Sequence, residues 1–296
     1  MAIVWSILVS LGCVLLCGGL CYGVLQIRFF QNTPLSSQAL SLATLVGFWG
    51  GHAFMSQRLW PGFPPVDVSL WWIYGLPMLA LLAYRPHVFL TTLSSGVYAY
   101  LLTGPMRQYE WSWIQAIAFT LAAALIMGRI PHLVNSMLSD VTSSEHKKCR
   151  WLWPWVMAIT SLGSAGVFLL GSSASLSQQA LFLLVLQALT LIFLRFHSRN
   201  EVSAGLVVVN LWLLLMLWLN MLLFTSLSYV ALVGLLALFT PYMLSLQPMS
   251  KASFGVQLLT VGLGSVLCMA IAAACVFGFQ PQAGLYYGRD TSIFSI

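Results

Sequence analysis

His52 is the residue best suited to acid–base chemistry, because no other Asp, Glu, His, Lys or Arg lies well inside a long apolar segment. It follows two glycines in the sequence Gly47-Phe-Trp-Gly-Gly-His-Ala-Phe54. An imidazole titrates near neutral pH, and an ionisable group within a membrane segment is a functional hypothesis by default. The neighbouring glycines would allow close approach of a ligand or of another helix. The alternative interpretation is a neutral histidine that is hydrogen-bonded at a glycine-rich packing face.

A second set of polar side chains lies in the fourth apolar segment and in a later one. Thr91, Ser95 and Tyr98 share one helical face, which could line a polar cavity or bind an uncharged substrate. Asn210 adds a buried amide, whereas Asn220 lies about 80° away around the same helix and does not complete one site. The alternative is that these hydroxyls bond to carbonyls of their own helix or across helices. The substrate-binding residues predicted are His52, Thr91, Ser95, Tyr98 and Asn210.

Four charged residues on two connecting loops form a predicted polar cluster on the outer side. They are Arg58, Asp67, Arg107 and Glu110. An arginine with carboxylates near the membrane surface could bind a polar headgroup or a partner protein, although ordinary interfacial loops contain the same residue types.

Cys13, Cys17 and Cys21 repeat at every fourth position and therefore line one face of the first helix. A thiolate row can bind a soft metal such as Cu(I), but a row on one helix cannot surround an ion, so helix packing is favoured. No cysteine–histidine group has zinc-ligand spacing, and no pair of histidines shares the depth that a haem needs. The sequence thus predicts no metal, no cofactor and no catalytic residue.

Composition explains how these residues are positioned. Of 296 residues, 60% are hydrophobic and only 6% are charged, against about 25% charged in soluble domains. A hydrocarbon core of about 30 Å needs about 20 apolar residues per helix. The apolar segments are 2–26, 38–57, 69–84, 87–103, 112–128, 151–172, 177–194, 204–225, 228–246 and 255–278. None of them contains Asp, Glu, Lys or Arg, so proton coupling through a buried carboxylate is not expected.

The basic residues predict the orientation, since cytoplasmic loops of membrane proteins are enriched in Lys and Arg. Nine of the 12 basic residues lie on one side if the loops after the odd-numbered segments are cytoplasmic. Both termini are then on the non-cytoplasmic side of a plasma or inner membrane. The basic residues flank apolar segments and form no patch, so no nucleic-acid partner is predicted.

The midpoint of the chain divides it into two predicted halves. Apolar residues between Leu133 and Val141 recur at helical spacing and predict a short amphipathic helix on the cytoplasmic surface, followed by a polar linker over 142–148. Pro154 is predicted to lie in the first turn of the next helix. The regions are 1–129, 130–150, 151–278 and an external tail, 279–296. Five spans in each half are also the layout of an inverted-repeat transporter, which stays a hypothesis.

The predicted fold class is an all-α integral membrane bundle of about ten helices whose first partner is the lipid bilayer. The sequence favours a permease-like or lipid-handling protein that moves or binds an uncharged or weakly polar molecule. The alternative is a non-catalytic subunit or scaffold that assembles with other membrane subunits. A membrane enzyme that uses His52 is the third hypothesis.

Overall fold

Seven helices with defined bounds follow one another along the described chain, and no strand occurs among the described residues. The computed structural model describes residues 2–27, 38–56, 79, 87–104, 107, 111–130, 143–170, 173–196 and 203–224, and separate positions between 255 and 274. The helices are α1 (Ala2–Leu25), α2 (Ala39–Ser56), α3 (Val88–Leu102), α4 (Trp113–Gly128), α5 (Ser143–Leu170), α6 (Ala174–Phe196) and α7 (Ala204–Phe224). The scattered positions after 255 are helical as well.

Among the described residues, three helices are long and apolar enough to span a membrane, namely Trp5–Leu25, Ala174–Arg195 and Gly205–Leu223. Three shorter apolar helices are Val88–Leu102, Trp113–Gly128 and Trp153–Leu169. The predicted all-helical fold is therefore confirmed for the described chain, and ten spans remain a prediction. Segments 69–84 (apart from Leu79) and 228–246, the amphipathic helix at 133–141 and the tail at 279–296 lie outside the described residues.

Helix α5 begins earlier than predicted. It starts at Ser143, so most of the predicted polar linker is helical, and Pro154 lies inside the helix instead of in its first turn. No glycine or proline occurs between Ser143 and Trp153, so helix propensity does not oppose an earlier start. The predicted boundary lay where the sequence changes from polar to apolar residues. Helix propensity does not change there, so α5 can begin before the apolar stretch.

The hairpin of α3 and α4 is defined by two local caps. The Nδ1 atom of His87 accepts a hydrogen bond from Phe89 N at 3.2 Å at the start of α3. Ser112 and Gln115 form a reciprocal capping box at the start of α4. Gly128 of α4 packs closely against Thr92 of α3, so the two helices lie against each other along most of their length.

Small residues bring α1, α2 and α6 into close contact. A Cβ atom at Gly50 of α2 would lie 2.5 Å from the Cys17 sulfur of α1, and one at Gly47 would lie 2.6 Å from Leu186 of α6. Tyr22 of α1 stacks on Phe193 of α6 with ring centroids 3.8 Å apart. Helices without a polar surface associate through this close backbone approach, as in membrane bundles generally. The packing role favoured for Cys17 agrees with this contact.

Helix α7 is the centre of the bundle. Of its apolar stretch Gly205–Leu223, 94% is buried inside the protein. It contacts α2, α5 and α6, and hydrogen bonds join it to α3. A helix that is hydrophobic on every side is expected to be enclosed by others, and α7 is enclosed in this way.

Candidate functional site

The polar side chains of α7 each reach a neighbouring helix. Trp212 Nε1 donates to Ser95 Oγ of α3 at 3.0 Å, and Asn220 Nδ2 donates to Tyr98 Oη of α3 at 2.7 Å. Trp218 Nε1 donates to Ser164 Oγ of α5 at 3.1 Å. Helices α3 and α5 are thus joined to α7 through its buried polar groups.

Ser95 and Tyr98, two of the predicted substrate-binding residues, lie together at the interface of α3 and α7. Both are buried, and the Tyr98 ring contacts the Trp212 ring edge-on with centroids 5.3 Å apart. Their face of α3 therefore meets another helix. Any molecule that binds there must contact Trp212 and Asn220 as well.

Asn210 and Thr91, two more predicted binding residues, have their own partners elsewhere. Asn210 Oδ1 accepts from Gln187 Nε2 of α6 at 2.6 Å, and its Nδ2 donates to the Leu206 carbonyl at 2.9 Å. Thr91 Oγ1 donates to the His87 carbonyl of its own helix at 3.0 Å. Asn210 and Asn220 bond to different helices, Asn210 to α6 and Asn220 to α3.

Polar side chains at similar depth near the end of α7 surround that helix: Asn220 faces α3, and Trp218, about 160° away around the helix, faces α5. The Gln187–Asn210 hydrogen bond defines the register of α6 against α7. Because the two helices run in opposite directions, Gln179, eight residues before Gln187, lies at about the level of Trp218, eight residues after Asn210. Ser161 is one turn from Ser164 on α5. We call this group the polar layer. Its members are Tyr98, Ser161, Ser164, Gln179, Trp218 and Asn220, all of them buried.

Part of the unused hydrogen-bonding capacity among the described residues lies in the polar layer. Ser161 Oγ, Gln179 Oε1 and Asn220 Oδ1 are buried and have no partner among the described residues. Gln187 Oε1, about two turns from Gln179 on α6, is also buried and has no partner among the described residues. A buried polar atom without a partner costs about 1–3 kcal/mol, so these atoms favour binding of a molecule with hydrogen-bond donors.

His52 is fully buried on α2. A Cβ atom added at the preceding residue, Gly51, would meet Val14 of α1 and come within 3.1 Å of the Phe182 ring of α6. His52 therefore belongs to the turn of α2 that packs most closely against α1 and α6. This position favours the packing interpretation of the histidine over the functional one.

We expect His52→Ala to lower the free energy of unfolding by about 2 kcal/mol, because it removes a fully buried ring. Denaturation in detergent with increasing SDS measures this change. The matched control is His87→Asn, which replaces an exposed histidine by another good helix cap and should change stability little. A His52→Ala protein of unchanged stability that has lost its activity would instead assign His52 a functional role.

Of the predicted outer-side cluster, the structure describes only Arg107. Its guanidinium Cζ lies 4.2 Å from the Tyr100 ring centroid and 4.8 Å from the Trp113 ring centroid, and Nη1 donates to Tyr100 Oη at 2.8 Å. Arg58, Asp67 and Glu110 lie outside the described residues. Arg107 is therefore the part of this predicted cluster that can be placed, and its aromatic partners were not predicted.

Sequence reasoning missed the two tryptophans that make interhelical bonds. Trp212 and Trp218 lie in the middle of an apolar segment, whereas eight of the 12 tryptophans lie at predicted segment ends. A buried indole N–H normally has a partner, so a tryptophan at mid-segment was a signal for a polar group on a neighbouring helix. Which helix supplies that group was not evident from sequence.

Over the described residues the protein is all-helical with several apolar helices, compatible with membrane association, and its buried polar side chains there include no Asp, Glu, Lys or Arg. Comparison of the chain with protein-family models, with curated proteins and with solved structures finds no match.

Proposed function

We propose that this protein is a multi-pass membrane protein that binds an uncharged, hydrogen-bond-donating molecule in the polar layer and moves it in a permease-like manner. The observation that carries the proposal is the set of buried acceptors in that layer with no partner among the described residues. Hydroxyl or amide groups of a small molecule would supply the missing donors.

The position of the polar layer supports the same proposal. Tyr98 comes from the first half of the chain, and the other members come from the second half. Transporter sites form where two halves meet, because relative movement of the halves then changes access to the site. The predicted orientation places this end of α7 on the non-cytoplasmic side, so the molecule would enter from there.

The absence of charged side chains from the polar layer restricts the ligand. An ionic ligand would carry a charge into a low-dielectric interior without a counter-charge among the described residues, which is costly. A neutral molecule with hydroxyl groups satisfies the acceptors at little electrostatic cost. A polyol is therefore a better probe of this site than an organic acid or an amine.

We expect Asn220→Leu to reduce polyol flux at least tenfold, because it removes Oδ1 and the donor to Tyr98. The measurement is the swelling rate of proteoliposomes in glycerol, erythritol and xylitol, relative to empty liposomes. Thr190→Val is the matched control, since its buried hydroxyl bonds to the Leu186 carbonyl of its own helix at 2.8 Å. Equal flux in Asn220→Leu and the wild type would refute the assignment of the polar layer.

A second candidate function is a non-catalytic membrane subunit or scaffold. The enclosure of α7 favours it, because interhelical bonds such as Trp212–Ser95 also serve purely to hold a rigid bundle together. Purification from native membranes followed by mass spectrometry separates the two. A stoichiometric protein partner, together with proteoliposomes that swell no faster than empty ones, would establish the subunit role.

A further inference from the structure

We propose that the outer surface of the α3–α4 hairpin binds one phospholipid, with its phosphate on Arg107 and an acyl chain along the exposed apolar faces of the two helices. The proposal rests on the membrane embedding proposed above but not on solute transport. The polar layer takes no part in it.

The guanidinium of Arg107 is held in place before any ligand arrives. It lies between the rings of Tyr100, at the end of α3, and Trp113, at the start of α4. The Arg107 backbone N–H also donates to the Thr103 carbonyl at 2.9 Å, which continues the helical path beyond α3. Because the side chain is already ordered, binding a phosphate costs little additional conformational entropy.

The guanidinium retains donors for an anion. An arginine has five N–H donors; in Arg107, Nη1 donates to Tyr100 Oη and Nε is buried without a partner among the described residues, so the donors left for an anion are those of Nη2 and the second N–H of Nη1. A planar fork of donors is well suited to two phosphate oxygens.

An apolar surface extends from Arg107 along both helices. On α4, the exposed residues Ile114, Ile117, Leu121 and Leu125 form one stripe, and Ile114 is 80% exposed. On α3, Phe89, Leu93 and Val97 form a parallel stripe below Tyr100. The α4 stripe is about 17 Å long at 1.5 Å per residue, close to the depth of one leaflet of a 30 Å core.

The combination of a fixed cation and a leaflet-length apolar stripe distinguishes a phospholipid from other occupants. A partner helix would cover the apolar face but would not need a phosphate-binding fork at its end. A free anion would use the fork but not the stripe. Only a molecule that joins an anionic headgroup to acyl chains uses both.

The test is native mass spectrometry of the delipidated full-length protein, titrated with dipalmitoyl phosphatidylglycerol and, separately, with dipalmitoylglycerol. We expect one tight site for phosphatidylglycerol and at least tenfold weaker binding of dipalmitoylglycerol, which has the same chains and no phosphate. Arg107→Leu should weaken phosphatidylglycerol binding about tenfold. Arg129→Leu, at the opposite end of α4, is the matched control and should change it less than twofold.

Three results would overturn the proposal. They are equal affinity for dipalmitoylglycerol, unchanged binding in Arg107→Leu, and displacement of the phospholipid by millimolar inorganic phosphate. If Arg107→Leu does not yield folded protein, Trp113→Leu removes one wall of the guanidinium site at an exposed position and carries the same expectation. Polyol flux in the Arg107 variants separates this proposal from the proposed function, since the polar layer is unchanged in them.

Discussion

Trp218→Ala is expected to lower the free energy of unfolding by about 3 kcal/mol. Trp218 is fully buried, its N–H donates to Ser164 Oγ at 3.1 Å, and its ring lies 4.9 Å from that of Phe168. Truncation of a buried tryptophan costs about 3–5 kcal/mol in soluble cores. The lower end of that range applies here, because unfolded helices that stay in detergent or lipid keep much of their apolar environment.

Two further variants identify the source of that loss. Trp218→Phe keeps most of the ring contacts and removes the N–H donor, so we expect it to lose about 1 kcal/mol, the usual size of a hydrogen bond. Trp5→Ala removes the same side chain at a position that is 65% exposed and should change stability little. Similar losses for Trp218→Ala and Trp5→Ala, measured by SDS titration in detergent, would contradict the central position of α7.

Gly50→Ala is expected to destabilise the contact between α1 and α2 by about 1–3 kcal/mol, the usual cost of overpacking. The new methyl group would lie 2.5 Å from Cys17 Sγ and 2.8 Å from Cys17 Cβ. The sulfur can rotate away, but Cβ is fixed to the backbone of α1. The two helices must therefore separate. The same SDS titration measures the effect.

A compensating double substitution, in which the small residue is moved from α2 to α1, tests this explanation directly. Cys17→Gly in the Gly50→Ala background removes the clashing atoms, so part of the lost stability should return despite the lower helix propensity of glycine. Gly19→Ala is the control, since a Cβ atom there meets nothing within 4 Å and alanine favours the helix. Failure of the double variant to regain stability over Gly50→Ala would show that the two residues do not compete for space.

Over the described residues, helix positions were largely predictable from the sequence, because apolar runs bounded by charges and turn residues have the length of helices. Segments 38–57, 87–103 and 204–225 agree with α2, α3 and α7 to within one residue at each end. The beginning of α5 was predicted eight residues too late. There, polarity changes at Trp151 while helix propensity does not, so a hydropathy boundary is not a helix boundary.

The candidate site was predictable as a set of residue types and not as an arrangement. Ser95 and Tyr98 were predicted from their shared face on α3, and the structure places both against α7. Thr91 shares that face but bonds within its own helix, because a threonine hydroxyl easily reaches the carbonyl four residues earlier. Periodicity shows which side chains share a face, but it does not show which helix packs against that face.

The sequence by itself determined that the chain is helical, apolar over many segments, and without charged residues inside them, since these properties depend on composition and local spacing. Only the tertiary structure decided that α7 is the enclosed helix and that its tryptophans and asparagines bond to residues of three different helices, α3, α5 and α6. It also decided that His52 lies in a glycine-packed contact while Arg107 lies between two aromatic rings. The physical reason is that apolar helices of similar hydropathy cannot be told apart by their sequence pattern. Close packing and hydrogen-bond geometry, in contrast, are satisfied only when particular helices lie against each other.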